Sequence, residues 1–245
     1  GHEDAIYLLD VAGVPVIDDT ADGSSGSGLM HHKFVVIDQE VVLITSANFT
    51  SSGIHGDGGA SHTRGNVNHL VRINSPKLAD LFKAEFAKLW GDGPEGKTDS
   101  RFGLQKNNGS AQPLQLNHQR ISVLFAPHRH KDPVNGLRLI KQELQQANES
   151  IDLALFVFSA QELADVLAQK QAEGVAIRAL VDQSFAYRSY SELLDLAGQQ
   201  LPDHRCVIEK GNKPWGSPLT TAGVPQLPRG DKLHHKFAVI DNRTV

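Results

Sequence analysis

The sequence predicts an α/β protein built from two repeats, and three observations carry that prediction. The octad His31-His32-Lys33-Phe34-Val35-Val36-Ile37-Asp38 recurs as His234-His235-Lys236-Phe237-Ala238-Val239-Ile240-Asp241. The hexad Leu8-Leu9-Asp10-Val11-Ala12-Gly13 precedes the first octad and Leu193-Leu194-Asp195-Leu196-Ala197-Gly198 the second, so the repeated unit is longer than the octad. Upstream of the second hexad, strand and helix patterns alternate in the order of a mixed, largely parallel sheet.

Each element has a local reason. After the first octad, Val41 to Thr45 continues the sheet, residues 51 to 66 read as a Gly- and Ser-rich loop, and Asn68 to Ile73 reads as a strand. Ser75-Pro76 opens a helix whose apolar face is Leu78, Leu81, Phe82, Phe86 and Leu89, with Gly91 beyond its end. Gly96 to His118 is polar and reads as a connector. Ile121 to Phe125 is a short apolar run, and Leu137, Ile140, Leu144 and Ala147 recur at helical spacing. Ile151 to Phe158 reads as a buried strand. Ser159-x-x-Glu162 forms a capping box for a helix ending near Gly174, and Val175 to Val181 is a strand closing on Asp182. Residues 210 to 230, rich in Gly, Pro and Lys and containing Trp215, lengthen the second hexad-to-octad connection.

Composition sets outer bounds. The 245 residues are 40% hydrophobic, enough for a packed core, and the formal charge is −4, so no global basic field draws the chain onto polyanions. The single cysteine, Cys206, excludes an internal disulfide and is expected to pack as a small hydrophobe in a strand. No apolar run reaches transmembrane length. The start at Gly1 resembles no signal peptide, so localisation stays open.

The octads carry the chemistry. In extended backbone side chains alternate between faces, so His31 and Lys33 point one way, as do His234 and Lys236. Each copy therefore offers an imidazole beside an ammonium. Cleaving a phosphodiester takes a nucleophile for phosphorus, a proton for the leaving alkoxide and positive charge at the non-bridging oxygens. Two histidines and two lysines supply all three, because imidazole alone titrates near neutrality without perturbation.

The first octad is extended by Thr45-Ser46-x-Asn48, completing His-x-Lys-x4-Asp-x6-(Gly/Thr)-Ser-x-Asn. With this the sequence resembles the phospholipase D superfamily, whose members include phospholipases D, cardiolipin-type lipid hydrolases, non-specific endonucleases and phosphatidyl-transferring synthases. The resemblance implies a phospholipase D-like α/β sheet sandwich of two pseudo-twofold repeats, with both histidine–lysine pairs in one cleft. It makes His31 the nucleophile and His234 the general acid, and gives Ser46 and Asn48 phosphate contact or imidazole orientation. Several members carry a carboxylate on the strand after the Gly-rich loop as partner of the active imidazole. This chain reads Asn66-Val67-Asn68 there, which leaves Asn68 as the candidate. Asp38 and Asp241 lie about 20 Å along the strand from their histidines at ordinary strand rise, so they are expected to hold a turn or strand register.

Other residues weigh toward packing or solvent. His32 and His235 point to the opposite face and are expected to pack there. His128-Arg129-His130-Lys131 has the look of a metal or phosphate site, but its flanking cations oppose a metal and a solvated loop is preferred. Trp215 is a substrate-stacking candidate against a role in anchoring its own loop.

The expected organisation is residues 1–95 as the C-terminal part of a first repeat, 96–118 as linker and 119–245 as the N-terminal part of a second, each repeat being present in part. The expected activity is phospholipase D-type hydrolysis of phospholipid headgroups through a covalent phosphohistidine, with no cofactor and no metal. The alternatives are a metal-independent endonuclease acting on DNA or RNA, and an inactive or purely binding relative. The partner is a phosphodiester substrate, lipid or nucleic acid, and oligomeric state is open.

Overall fold

The computed structural model describes residues 2–17, 29–56, 63–93 and 99–245. The chain forms two compact units, Gly1–Ile44 with Arg72–Gly136, and Thr45–Val71 with Leu137–Val245. The chain thus threads from the first unit to the second and back before entering the second again.

In the first unit, α1 (His2–Val11) is followed by β1 (Phe34–Ile37) and β2 (Val41–Thr45). These two strands pair antiparallel with Phe34 opposite Ile44, and β3 (Leu70–Asn74) lies on the other side of β2. The ends of β2 and β3 run into the second unit. Ser75 caps α3 (Pro76–Trp90) by accepting from Leu78 N, and Gly91 ends it at φ 58°. The buried stripe of α3 is Leu78, Ala79, Phe82, Glu85 and Leu89. The expected Phe86 is exposed instead and stacks on Trp90. Val42, Leu78, Ala79 and Phe82 form a core against Phe34, Ile44, Ile121 and Phe125. β4 (Gln112–Leu116) pairs with β5 (Gln119–Val123) as a hairpin, and the stretch read as a polar connector thus supplies a strand.

Glu85 is the polar member of that stripe. Its fully buried carboxylate pairs with Lys106 Nζ, from the short 3-10 turn Leu104–Lys106, and accepts from His32 Nε2 at 3.1 Å. Burial pushes the Glu85 carboxyl up, but the hydrogen bonds from His32 and Lys106 outweigh it and hold it below its ordinary value.

The second unit contains a sheet in the order β8-β7-β6-β9. β6 (Ser150–Leu155) is parallel to β7 (Ala176–Val181) and antiparallel to β9 (Lys236–Ile240), while the two-residue β8 (Ala222–Gly223) is parallel to β7. α4 (Gly136–Gln145), α5 (Gln161–Ala172), α6 (Gln183–Ala186) and α7 (Glu192–Leu196) accompany it. The core gathers Leu144, Ile151, Leu167, Val181, Leu196 and Ile240. Each such large aliphatic contributes about 1.5–3 kcal/mol on burial.

Three local expectations are corrected. α5 starts at Gln161 with Ala160 as its N-cap and no side-chain cap bond, so Ser159 stands one residue too early to form the capping box. Cys206 is exposed, at φ 60° in a turn rather than in a strand. Trp215 is 8% exposed within the core, and its backbone N–H donates to Asp195 O at 2.9 Å, so it anchors its own loop rather than presenting a stacking face. Of the Gly- and Ser-rich loop, residues 51–54 form a short helix, α2 (Ser51–Ile54), and 57–62 lie outside the described residues.

The sequence repeats correspond to repeated backbone. In the first hexad Ala12 N donates to Leu8 O, Gly13 N to Asp10 O and Val14 N to Leu9 O; in the second Ala197 N donates to Leu193 O, Gly198 N to Asp195 O and Gln199 N to Leu194 O. Both glycines sit at φ 66°, the left-handed conformation that closes a helix end without a Cβ penalty. The octads end alike as well. Asp38-Gln39 and Asp241-Asn242 all have positive φ, and Glu40 N donates to Ile37 O as Arg243 N does to Ile240 O. Asp and Asn tolerate that geometry in a tight turn.

Candidate active site

Neither octad histidine lies within a strand. β1 begins at Phe34 and β9 at Lys236, with the histidines in the extended backbone just before them. In the first unit Lys33 Nζ donates to His31 O at 2.9 Å and to His31 Nδ1 at 3.2 Å. In the second, Lys236 Nζ donates to His234 O at 2.8 Å. The same fold-back of ammonium onto the histidine carbonyl therefore occurs twice. Desolvation lowers the pKa of Lys33.

The richer constellation surrounds His234. The chain from Thr63 to His69 runs alongside Asp231 to His235: Val67 N donates to Lys232 O, His234 N to Val67 O, and Lys232 N to Asn66 Oδ1. Asp231 accepts from Thr63 Oγ1 and from Arg64 N, and these bonds, with Thr63 the larger influence, hold its carboxyl below the usual range. Asp182 accepts from Leu233 N at 2.7 Å and from Ser184 N at 2.9 Å.

These ties place His234 Nδ1 3.0 Å from Ser46 O and 3.0 Å from Asn68 Oδ1. A backbone carbonyl can only accept, so Nδ1 carries the proton. Ser46 Oγ donates to the same Asn68 Oδ1 at 2.9 Å and accepts from His69 N at 3.1 Å. Asn68 Nδ2 donates to Gly53 O at 3.0 Å, which fixes the amide orientation. Gly53 itself must be glycine, because a Cβ there would lie 2.1 Å from Asn48 O.

Ser46 is buried at 7% exposure and Asn48 is exposed. The hydrogen bonds of Ser46 run to Asn68, His69 and His234, which makes it part of the imidazole support of the second octad. Lys236 Nζ also lies 4.9 Å from the centroid of Phe156.

The intervening histidines pack, as their side of the chain suggests. His32 meets Phe34 and Phe125 with its Nε2 on Glu85. His235 stacks on His69 at 5.3 Å between centroids, with the two Nδ1 atoms 3.1 Å apart. One imidazole donates and the other accepts, so the pair holds a single bridging proton. Burial first, then the Lys236 charge, lowers the pKa of His69; burial, then His69 and Lys236, lowers that of His235. Sequence reading missed His69 and Phe156; the alternation that puts Asn68 toward the site puts His69 on the opposite side.

Asp241 is held at the far end of β9, where its carboxylate accepts from the backbone N–H groups of Asn148, Glu149 and Ser150. Those bonds lower its pKa to about 2, the Ser150 bond being the largest cause. It fixes a turn against β6, as its distance along the strand implies. His128 lies in a loop with Nε2 on Gly109 O. Among the described residues no group of three or more His, Cys, Asp or Glu side chains is arranged to hold a metal ion, and no helix is long and apolar enough to cross a membrane.

Comparison with known proteins bears on this geometry. A family model described as "Cardiolipin synthase, PLD-like domain" matches residues 6–90 and 140–245. A mitochondrial cardiolipin hydrolase from Canis lupus familiaris is 29% identical over 111 residues, spanning 45% of this chain and 37% of that protein. The crystal structure of phosphatidylserine synthase from Haemophilus influenzae Rd KW20 superposes with a TM-score of 0.43 at 15% identity, covering 63% of this chain and 38% of the other. The matches thus span well under two thirds of either relative.

Proposed function

This chain belongs to the phospholipase D-like superfamily, and from that premise we propose that it hydrolyses phospholipid phosphodiesters through a covalent phosphohistidine. The observation that carries the reading is the duplicated fold-back, Lys33 Nζ on His31 O and Lys236 Nζ on His234 O. Each copy keeps a cation beside an imidazole, the pairing that phosphoryl transfer needs.

In the proposed cycle neutral His31 attacks phosphorus through its unprotonated ring nitrogen while His234, as imidazolium, gives its Nε2 proton to the leaving alkoxide. A P–N bond replaces the P–O bond and the alcohol departs. Neutral His234 then takes a proton from water, whose oxygen attacks phosphorus and returns the P–N electron pair to His31. Lys33 and Lys236 hold the non-bridging oxygens, and the Nδ1–H bond from His234 to Asn68 and Ser46 keeps Nε2 aimed throughout. Asn68 is a neutral acceptor. It orients the ring without stabilising imidazolium as a carboxylate would.

A lipid substrate is supported by the relative named a cardiolipin hydrolase and by the net charge of −4, which gives nucleic acid no long-range attraction. The test is parallel assay on cardiolipin vesicles, phosphatidylcholine vesicles and single-stranded DNA, each with and without excess chelator. Phosphatidic acid production that survives chelator supports the reading. Cleavage confined to DNA and falling steeply with salt replaces it with a nuclease, and loss on chelation restored by one divalent ion removes the proposed role of the lysines.

A further inference from the structure

Phe156, the residue after β6, touches both groups that the second octad contributes. Its ring centroid is 4.7 Å from that of His234 with the planes tilted by 57°, and Lys236 Nζ lies 4.9 Å from the same centroid. Its backbone N–H donates to His235 O at 2.8 Å, so main chain and ring grip one tripeptide. Behind it Phe185 of α6 closes edge-on at 4.8 Å and 74°. α6 is in turn tied to the octad through Asp182, its N-cap, which also accepts from Leu233 N. Phe156 is therefore held between a helix anchored to the octad and the octad itself.

The ring acts on two groups that hydrogen bonds already hold in part. The bonds at His234 Nδ1 hold one edge of the imidazole, and the bond from Lys236 Nζ to His234 O holds the ammonium at one oxygen. An aromatic face against the imidazole blocks its tilt. The negative face of the same ring attracts the ammonium and gives it one favoured place. An aliphatic side chain of similar volume would fill the space and do neither.

We propose that Phe156 is the positioning residue of the second octad, setting His234 Nε2 and Lys236 Nζ toward a common phosphate. The proposal rests on the phosphodiesterase reading above for its place in catalysis, and its geometry can be tested apart from turnover.

The experiment compares Phe156→Leu, Phe156→Tyr and Phe185→Leu with the unsubstituted chain. Three quantities are read: melting temperature, steady-state hydrolysis of bis(p-nitrophenyl) phosphate, and affinity for inorganic phosphate by calorimetry. Phe156→Leu is expected to lower kcat roughly 10- to 100-fold and to weaken phosphate binding several-fold. Phe156→Tyr is expected to restore both to within about threefold, since it keeps the ring face. Phe185→Leu, which loosens the packing behind the ring, is expected to lower the melting temperature with a smaller loss of kcat. A Leu variant with unchanged phosphate affinity overturns the proposal, whether or not the chain turns over. So does loss that follows melting temperature across all three variants with no rescue by Tyr. A chain that binds phosphate with the expected Leu/Tyr contrast yet cleaves no phosphodiester leaves Phe156 as the positioning residue and overturns the phosphodiesterase reading instead.

Discussion

His234 donates Nδ1–H to Asn68 Oδ1 at 3.0 Å, a contact between residues 166 positions apart in the chain. The segment that follows the first octad thereby supplies the imidazole support of the second octad. Because the acceptor is an amide, removing it and charging it should have different effects. Asn68→Ala is expected to lower kcat about 10- to 100-fold by freeing the ring. Asn68→Asp is expected to retain turnover but to move the His234-controlled limb of the pH–rate profile upward by about 1 unit, because a carboxylate favours imidazolium. A pH profile of both variants checks this; identical, unshifted profiles would remove Asn68 from the site.

Acid sensitivity should originate in the His69–His235 pair. Both imidazoles have folded-state pKa values below the ordinary 6.5, so the unfolded chain binds more protons as pH falls past that value. Their contribution to stability is complete above about pH 6.5 and is lost as pH drops through the lowered values. Melting temperature should decline below pH 6.5, and His69→Phe, which keeps the stack and removes a titrating group, should flatten the decline. An unchanged slope in that variant would contradict the assignment.

Glu192 should produce the opposite slope. Burial first, then Asp195, Glu209 and Asp165, raise its carboxyl to about 8 from 4.5. The folded state therefore binds the proton that the unfolded state has released, and stability is lost as pH rises from about 4.5 through 8. Glu192→Gln keeps the shape of the protonated form and is expected to raise the melting temperature at pH 8.5 by a few degrees while leaving it near the parent value at pH 4.5. Calorimetry at the two pH values decides it.

Much of this was legible in the sequence because repetition survives at the level of backbone. The hexads became two helix ends with the same three hydrogen bonds, and the octads two extended segments closing in the same turn. The distance argument for Asp241 led to a turn-holding role, which its three backbone donors express. What escaped depended on tertiary placement. Glu85 was hidden because helical periodicity counts apolar residues, and a buried carboxylate there makes sense with His32 and with Lys106, the latter brought in from a polar stretch. Phe156 read only as the end of a strand, since nothing local tells that antiparallel pairing with β9 will bring its ring to an imidazole. Ser159 matched a capping pattern, but the extended chain, with Phe158 O accepting from Glu192 N, delays the helix to Gln161.

Gly53 offers a test of the support beneath Asn68. A methyl group there would meet Asn48 O at 2.1 Å, and Gly53 O is the acceptor that orients the Asn68 amide. Gly53→Ala is expected to reduce kcat about 10-fold, in the range of lost imidazole support, with a smaller change in KM. Full activity in that variant would show that α2 can shift without disturbing His234.

The central claim, covalent catalysis by His31, is tested most directly by trapping the intermediate. A slow phosphodiester is mixed with the chain, turnover is stopped in alkali, where phosphohistidine survives, and peptides are mapped by mass spectrometry. The account predicts a phosphoryl adduct on His31, absent in His31→Asn and accumulating in His234→Asn with a good leaving group, because attack then proceeds while water activation fails. Turnover with no adduct on His31 in the unsubstituted chain, or an adduct that persists in His31→Asn, would contradict it.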